Sequence, residues 1–271
     1  MEGDFPQTDR EEETALPANV SAVVQVGDTI RRSTGPWSPA VHAVLRYLEQ
    51  VGFDGAPRFL GIDDQGREVL TRLEGYTPPE AELPFITDER LAAVGRRIRE
   101  LHVALAGFRL PPGVDWHRRV GSARGKDLPI CHLDIHPPNI VFSAGSPAGF
   151  IDWDLTGPAP HAWEIARAAW LLVPLSDDAR CRAKGWAEPP DRLRRLRIFC
   201  DAYGLEQDDR RDFTGLAMRM ARNCADQVRA AAAEAVPAAR WLVEEVGYLY
   251  IVQRDVDWMR QAEDDIEHAR A

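Results

Sequence analysis

Residues 131–142, "CHLDIHPPNIVF", set two histidines, an aspartate and an asparagine inside a segment bracketed by apolar residues. Polar side chains at that density need either partners or a task, because an unsatisfied polar group is costly to bury. Just downstream lie the turn-rich "SAGSPA" (143–148) and the strand-like "GFID" (149–152). With "NIVF" (139–142) they read as a hairpin. Symmetric closure without a bulge pairs Phe142 with Gly149 and sets Asn139 opposite Asp152, their Cβ atoms roughly 5 Å apart. An amide oxygen and a carboxylate then converge beside the loop that carries Asp134.

Hard divalent cations such as Mg²⁺ take oxygen ligands and keep several waters. One carboxylate and one amide oxygen, completed by phosphate oxygens, are therefore a sufficient protein share of such a site. A further carboxylate outside the metal's own shell can accept a proton from a hydroxyl nucleophile. His132 and His136 lack the accompanying Cys or Glu set that zinc prefers. The plainer alternative is that Asp134 makes a turn bond while Asn139 and Asp152 cap the hairpin.

Outward from this segment the chain changes character twice. "SAVVQVGDTIRRS" (21–33) reads as two strands around a Gly27-Asp28 turn, and "RFLGIDDQGREVLTRLEG" (58–75) as two more around Asp64-Gln65-Gly66. Between them, Ser38 as N-cap and Pro39 at the first helical position open a helix with Val41, Leu45 and Leu48 on one face. "EGYTPPEAELP" (74–84) breaks the pattern and marks a lobe boundary. A helix follows, capped by Thr87, with an apolar stripe through Leu91, Val94, Ile98 and Leu101. From about Ala162 onward the period is almost wholly helical.

The predicted fold is α+β: an acidic mobile arm over 1–18, a reduced lobe over 19–75 with a small antiparallel sheet and one helix, and a larger helical lobe over 76–271. The larger lobe holds the loop 131–140 and the hairpin 139–154.

At 271 residues, with 45% hydrophobic and 28% charged residues, the chain is long enough for a substantial core. Its formal net charge of −10 argues against nucleic acid or an anionic membrane surface as partner and favours cationic small molecules. No apolar run approaches the roughly 20 residues of a membrane span, and no signal-like order opens the chain, so the expected location is cytoplasmic. Cys131, Cys181, Cys200 and Cys224 form neither a CxxC pair nor a dense framework and read as buried thiols.

His132-Leu133-Asp134, four residues, Asn139, and then Asp152 across a hairpin resemble the catalytic loop and metal-binding aspartate of protein kinases. "HLDIHPPNIVF" with "GFIDWD" is more closely similar to the aminoglycoside phosphotransferase family, which joins a kinase-like fold to small-molecule substrates. The resemblance implies a two-lobed kinase-like fold, ATP or GTP as phosphoryl donor, and Mg²⁺ held by Asn139 and Asp152. It also implies Asp134 as the base and His132 and His136 as residues that order the loop. Asp154 either assists the metal site or caps a turn. "HAWEIARAAW" (161–170) resembles the family helix that supports the catalytic loop, with Glu164 in place of an aspartate.

In the first lobe the resemblance thins. Kinase-like enzymes hold ATP phosphates with a strand lysine paired to a helix glutamate. Residues 1–125 contain no lysine. Arg31 or Arg32 is the only nearby cation, Leu73 and Glu74 lie at the expected nucleotide hinge, and the helix offers Val41 or His42 where the pairing glutamate would stand.

Two functional readings follow. One is an O-phosphotransferase acting on a small acceptor such as an aminoglycoside, another amino sugar or an amino alcohol. The other is a catalytically weak or inactive kinase-like protein that sequesters a compound, as a self-immunity protein would. The acidic residues Glu263, Asp264, Asp265 and Glu267 and the aromatics of 241–259 are candidate acceptor contacts, with a solvated helix face and core packing as their plainer roles.

Overall fold

The structure is a computed structural model that describes residues 13–16, 23–117, 128–206, 212–263 and 265. The smaller lobe is a five-stranded antiparallel sheet. Its strands are β1 (Glu13–Leu16), β2 (Val23–Val26), β3 (Thr29–Ser33), β4 (Phe59–Ile62) and β5 (Arg67–Thr71), in the order β1-β2-β3-β5-β4. Part of the expected arm thus forms the edge strand, while residues 1–12 and 17–18 lie outside the described residues.

Helix α1 (Ser38–Gln50) lies between β3 and β4 and buries Val41, Leu45 and Leu48 almost completely. Pro39 sits in its first turn, where its missing N–H is no loss. Ser38 is the first helical residue and not the cap. Its hydroxyl accepts from the Gly35 N–H at 2.9 Å, so it fixes the entering turn instead.

The larger lobe is mainly helical: α2 (Asp88–Leu105), α3 (His161–Leu172), α4 (Asp178–Ala183), α5 (Arg192–Tyr203), α6 (Phe213–Ala233), α7 (Pro237–Glu244) and α8 (Tyr248–Gln261). Thr87 caps α2 by accepting from the Arg90 N–H, and Asp88 and Glu89 complement the positive helix end. Leu91, Val94, Ile98 and Leu101 are fully buried, as their spacing requires. Helix α2 packs on α5 at Gly95, where a side chain would press on the Phe199 carbonyl. Burial of Leu, Ile and Phe at about 1.5–3 kcal/mol each is the main stabilising term. One apolar cluster runs from α1 through the hairpin to α8.

Short strands carry the polar segment. Strand β6 (Ile130–Cys131) pairs with β9 (Gly157–Pro158), and β7 (Ile140–Ser143) pairs with β8 (Ser146–Phe150). The β7–β8 register differs from symmetric closure. Ile140 faces Phe150, Val141 faces Gly149, and a bulge precedes the Phe142–Pro147 pair. A bulge adds one unpaired residue to a strand. Asn139 is therefore level with Ile151, whose N–H donates to the Asn139 carbonyl at 3.0 Å, and Asp152 lies one residue beyond.

The hairpin also joins the lobes. Tyr76 exchanges backbone hydrogen bonds with Phe142, and the Phe150 N–H donates to the Gly55 carbonyl at 2.9 Å. Gly149 permits that approach, since a side chain there would collide with the Gly55 backbone. No helix among the described residues is long and apolar enough to cross a membrane.

Candidate active site

The site forms where the loop after β6, the segment after β8 and strand β3 meet. Leu133 and Asp152 both adopt left-handed backbone, with φ of 64° and 63°. Non-glycine residues hold that conformation at a cost of about 1–3 kcal/mol each, and such residues cluster at functional sites.

Leu133 is held there by Glu164, whose carboxylate accepts its N–H at 2.5 Å. Glu164 is itself buried against His102 Nε2 at 2.5 Å, and His102 Nδ1 meets the Tyr203 hydroxyl at 2.9 Å. Burial opposes ionisation of Glu164, but His102, His132 and the Leu133 N–H hold its carboxyl below the usual range. The loop thus rests on a buried chain reaching from α3 through α2 to α5.

His132 is fully buried. Its Nδ1 accepts the Asp134 N–H at 3.2 Å, so Nε2 carries the proton and donates to the Ile151 carbonyl at 3.1 Å. Desolvation lowers its pKa and keeps the ring neutral. It links the Asp134 loop to the Asp152 segment. His136 Nδ1 meets Glu80 Oε1 at 3.1 Å, while its Nε2 lies 3.9 Å from Asp134 Oδ2. Buried Lys184 completes this group at 3.1 Å from Glu80 Oε2.

Asp134 has a cation on one side and an amide on the other. Arg167 Nη2 lies 2.7 Å from Oδ1, and Asn139 Nδ2 donates to Oδ2 at 3.1 Å and to the Asp134 carbonyl at 3.0 Å. Burial works against the charge, but Arg167, His136 and His132 together hold the carboxyl below its ordinary value. Asp134 is ionised at neutral pH, and a carboxylate with about four acceptor positions still has room for a hydroxyl. Because the Asn139 nitrogen faces Asp134, its oxygen is the end left for a cation.

The two arginines of β3 separate by strand alternation. Arg32 turns into the site. Its Nη1 lies 3.1 Å from Asp152 Oδ1, its Nη2 lies 2.7 Å from Asp154 Oδ1, and its Nε pairs with Glu68. Arg31 turns to the other face, with Nε donating to the Thr29 hydroxyl at 3.3 Å and Nη1 3.7 Å from Asp63. The pairing glutamate is Glu68 on β5, directly across the ladder from Arg32, with His42 of α1 behind it at 2.6 Å. Leu73 and Glu74 follow β5, Leu73 half-buried and Glu74 exposed.

Burial raises the Asp152 pKa, Arg32 opposes that rise, and the neighbouring Asp134 and Asp154 add to it. The Asn139 amide oxygen and the Asp152 and Asp154 carboxylates are hard donors of the kind a divalent cation such as Mg²⁺ takes, while the oxygens of Asp134, Asp152 and Asp154 do not all lie within 4.8 Å of one another. Asn139 and Asp152 would hold such an ion, with Asp154 beside them. His102, Cys131 and His161 do bring ligand-type atoms within 4.8 Å of one another. Both His102 nitrogens are engaged, however, and the His102 and His161 rings stack at 3.9 Å and 5°, so their in-plane lone pairs run side by side. That cluster belongs to the loop's support.

Sequence reasoning did not find Arg167, Glu68, Glu80 or Lys184 as members of this network. Only Arg167 had an available signal, three residues beyond Glu164 on one helical face. Beside Asp134, α3, α6 and α8 enclose a cavity of about 130 Å³, lined by Leu133, Arg167, Asn223, Gln227, Val228 and Tyr248 among others. Of the aromatics in 241–259, Tyr248 faces this cavity, Trp258 packs on the core, and Trp241 and Tyr250 are exposed. Glu263 and Asp265 lie past the far end of α8, roughly 20 Å along the helix from Tyr248 at 1.5 Å per residue. Asp264 and Glu267 lie outside the described residues.

Residues 68–199 match the profile of the Phosphotransferase enzyme family. The chain is 34% identical over 217 residues to the trifolitoxin immunity protein of Rhizobium leguminosarum bv. trifolii, covering 78% of this chain and 82% of that one. Among solved structures, a choline/ethanolamine kinase family protein from Mesorhizobium loti aligns with a TM-score of 0.59 at 17% identity, over 93% of each chain. The gentamicin–APH(2")-IIa complex aligns with a TM-score of 0.58 at 10% identity, over 90% of this chain and 93% of that one. At those identities the structural likeness establishes the two-lobed kinase-like fold.

Proposed function

Since this chain belongs to the Phosphotransferase enzyme family, we propose that it moves the γ-phosphoryl group of ATP or GTP to a hydroxyl of a small molecule. The observation that carries this reading is that Asn139 donates to Asp134, that Asp134 lies near enough to Asp152 to raise its pKa, and that Arg32 reaches Asp152 from the other lobe. Mg²⁺, when bound, would supply charge neutralisation at the phosphates.

The protein's own share of the chemistry is positioning. Asp134 stays ionised, accepts a hydrogen bond from the acceptor hydroxyl and orients its oxygen toward the phosphorus. Phosphoryl transfer passes through a loose transition state, so a weak, well-placed base is sufficient. The hydroxyl proton passes to Asp134 as the new P–O bond forms and the β–γ bridge bond breaks. Arg32 supplies the cation that a strand lysine supplies elsewhere in kinase-like folds, and Glu68 and His42 hold it. An arginine presents a planar fork, so its contact with phosphate differs in shape from that of an ammonium.

One observation favours the second reading, a binding protein of the self-immunity type. Asp134 is paired with Arg167, and Asp152 and Asp154 share Arg32, so every carboxylate of the site already has a cation in contact. The 34% identity to an immunity protein is compatible with both readings. Purified protein incubated with Mg²⁺ and labelled ATP or GTP separates them. The phosphotransferase reading expects nucleotide binding that Asp152→Ala abolishes, and slow hydrolysis that Asp134→Asn abolishes while binding persists. Absence of nucleotide affinity at millimolar concentration would overturn it.

A further inference from the structure

The cavity beside Asp134 differs in chemistry from what the net charge of the chain suggests. Resting on the phosphotransferase reading, we infer that the acceptor places a ring-sized, neutral or anionic hydroxyl-bearing group in this cavity, and that polycationic amino sugars are excluded.

Size is the first argument. Drug-sized ligands occupy pockets of roughly 300–1,000 Å³, whereas an apolar cavity of about 150 Å³ holds a benzene ring. At about 130 Å³ the part of this solvent-open cavity within its walls seats one ring or one branched side chain.

Charge is the second argument. Arg167 is the only charged residue among the described residues that line the cavity, and it lies 2.7 Å from Asp134. A cationic acceptor aiming its hydroxyl at Asp134 would therefore meet a guanidinium first. The remaining polar groups are neutral. Gln227 donates to the Asn223 side chain at 2.6 Å, which leaves the Asn223 amide hydrogens and the Gln227 carbonyl for a ligand. Burial and Cys224 raise the Tyr248 pKa, so its phenol is a neutral donor. Leu133, Leu155, Trp163, Met220 and Val228 supply the apolar walls. The net charge of −10 acts at long range on encounter, while Arg167 acts at contact on binding.

The test uses the full chain and four probes: 3-(hydroxymethyl)benzoate, benzyl alcohol, 3-(aminomethyl)benzyl alcohol and kanamycin. Equilibrium binding is read by ligand-observed NMR without nucleotide, and phosphorylated product is read separately with MgATP and MgGTP. The benzoate and the neutral alcohol should bind roughly tenfold more tightly than the aminomethyl probe, the ratio that a like-charge contact of about 1.4 kcal/mol gives. Asn223→Asp, nearly isosteric, should remove that preference. Val228→Trp, with its fold checked by thermal unfolding, should abolish binding of all three aromatic probes.

Tighter binding of the aminomethyl probe or kanamycin to the wild type would overturn the inference, as would aromatic-probe affinities that neither variant alters. If the binding order holds but neither nucleotide is bound, the phosphotransferase reading falls and the cavity assignment stands. If kanamycin is phosphorylated, the phosphotransferase reading stands and the cavity assignment falls.

Discussion

The two halves of the site use the same device, a carboxylate held by an arginine, but they support it differently. In the larger lobe, Asp134 and Asn139 lie within one loop, and that loop rests on the buried chain Glu164–His102–Tyr203. In the smaller lobe, Arg32 depends on Glu68, 36 residues away, and on His42 from a separate helix. Asp134 and Asn139 are thus neighbours in sequence although Arg167 and the buried supports beneath them are not, whereas in the smaller lobe even the central pair, Arg32 and Glu68, is brought together only by the fold. A strand lysine and helix glutamate can accordingly be lost while a cation still faces Asp152.

The strongest way to break this contrast is Glu164→Ala. Removing the carboxylate leaves buried His102 without its partner and strips the acceptor from the strained Leu133 N–H, at about 1–3 kcal/mol for each orphaned group. Chemical denaturation should show that loss, and any turnover should fall with it. Glu68→Ala should leave the catalytic loop in place and act on nucleotide KM. If Glu68→Ala lowered kcat as much as Glu164→Ala, the two halves would not be supported independently.

Asp255 sharpens the contrast from the opposite side, as a buried carboxylate of the larger lobe with no basic partner in hydrogen-bond contact among the described residues. Trp170 donates to its Oδ2 at 2.9 Å, Oδ1 has no partner, and burial raises its pKa to about 6. Below about pH 4 it is protonated in both folded and unfolded chains and carries no penalty. Between about pH 4 and 6 the unfolded chain ionises first, so stability falls as pH rises through this window. Above about pH 6 the full penalty persists, on the order of 2–3 kcal/mol for a shift near two units. Asp255→Asn should therefore raise stability at pH 7 and leave it nearly unchanged at pH 4. Equal effects at both pH values would show that burial without a paired cation does not control this group.

What the sequence revealed follows the same division. The motif around 131–154 was readable because its residues are local, and so were the helices with a clear apolar stripe, such as α2. The symmetric pairing of Asn139 with Asp152 fails because the bulge between Val141 and Phe142 has no signature in "SAGSPA". Glu68 could not be recognised as the partner of Arg32 from the sequence, because nothing in "TIRRS" or "REVLT" fixes their register before the sheet forms. Arg167 stands three residues beyond Glu164 on α3, but that spacing alone does not separate a residue of the site from one facing solvent.

The smallest expected effects separate the two β3 arginines, and they test the division most directly. Arg32 reaches Asp152 and Asp154, whereas Arg31, on the opposite face, reaches Thr29 and Asp63. If Arg32 is the phosphate-facing cation, Arg32→Ala should weaken Mg²⁺-nucleotide binding by about tenfold, the size of one charge-assisted contact near 1.4 kcal/mol. Arg31→Ala should change it by no more than about twofold, since a partly exposed pair contributes at most about 1 kcal/mol and does not face the nucleotide. Arg32→Lys should recover part of the loss through charge alone, and the remainder measures what the planar fork contributes. Isothermal titration of the three variants decides the matter. A larger effect from Arg31, or none from either, would mean that nucleotide affinity resides wholly in the larger lobe and that the Arg32–Glu68–His42 group is only a strand-to-helix tie.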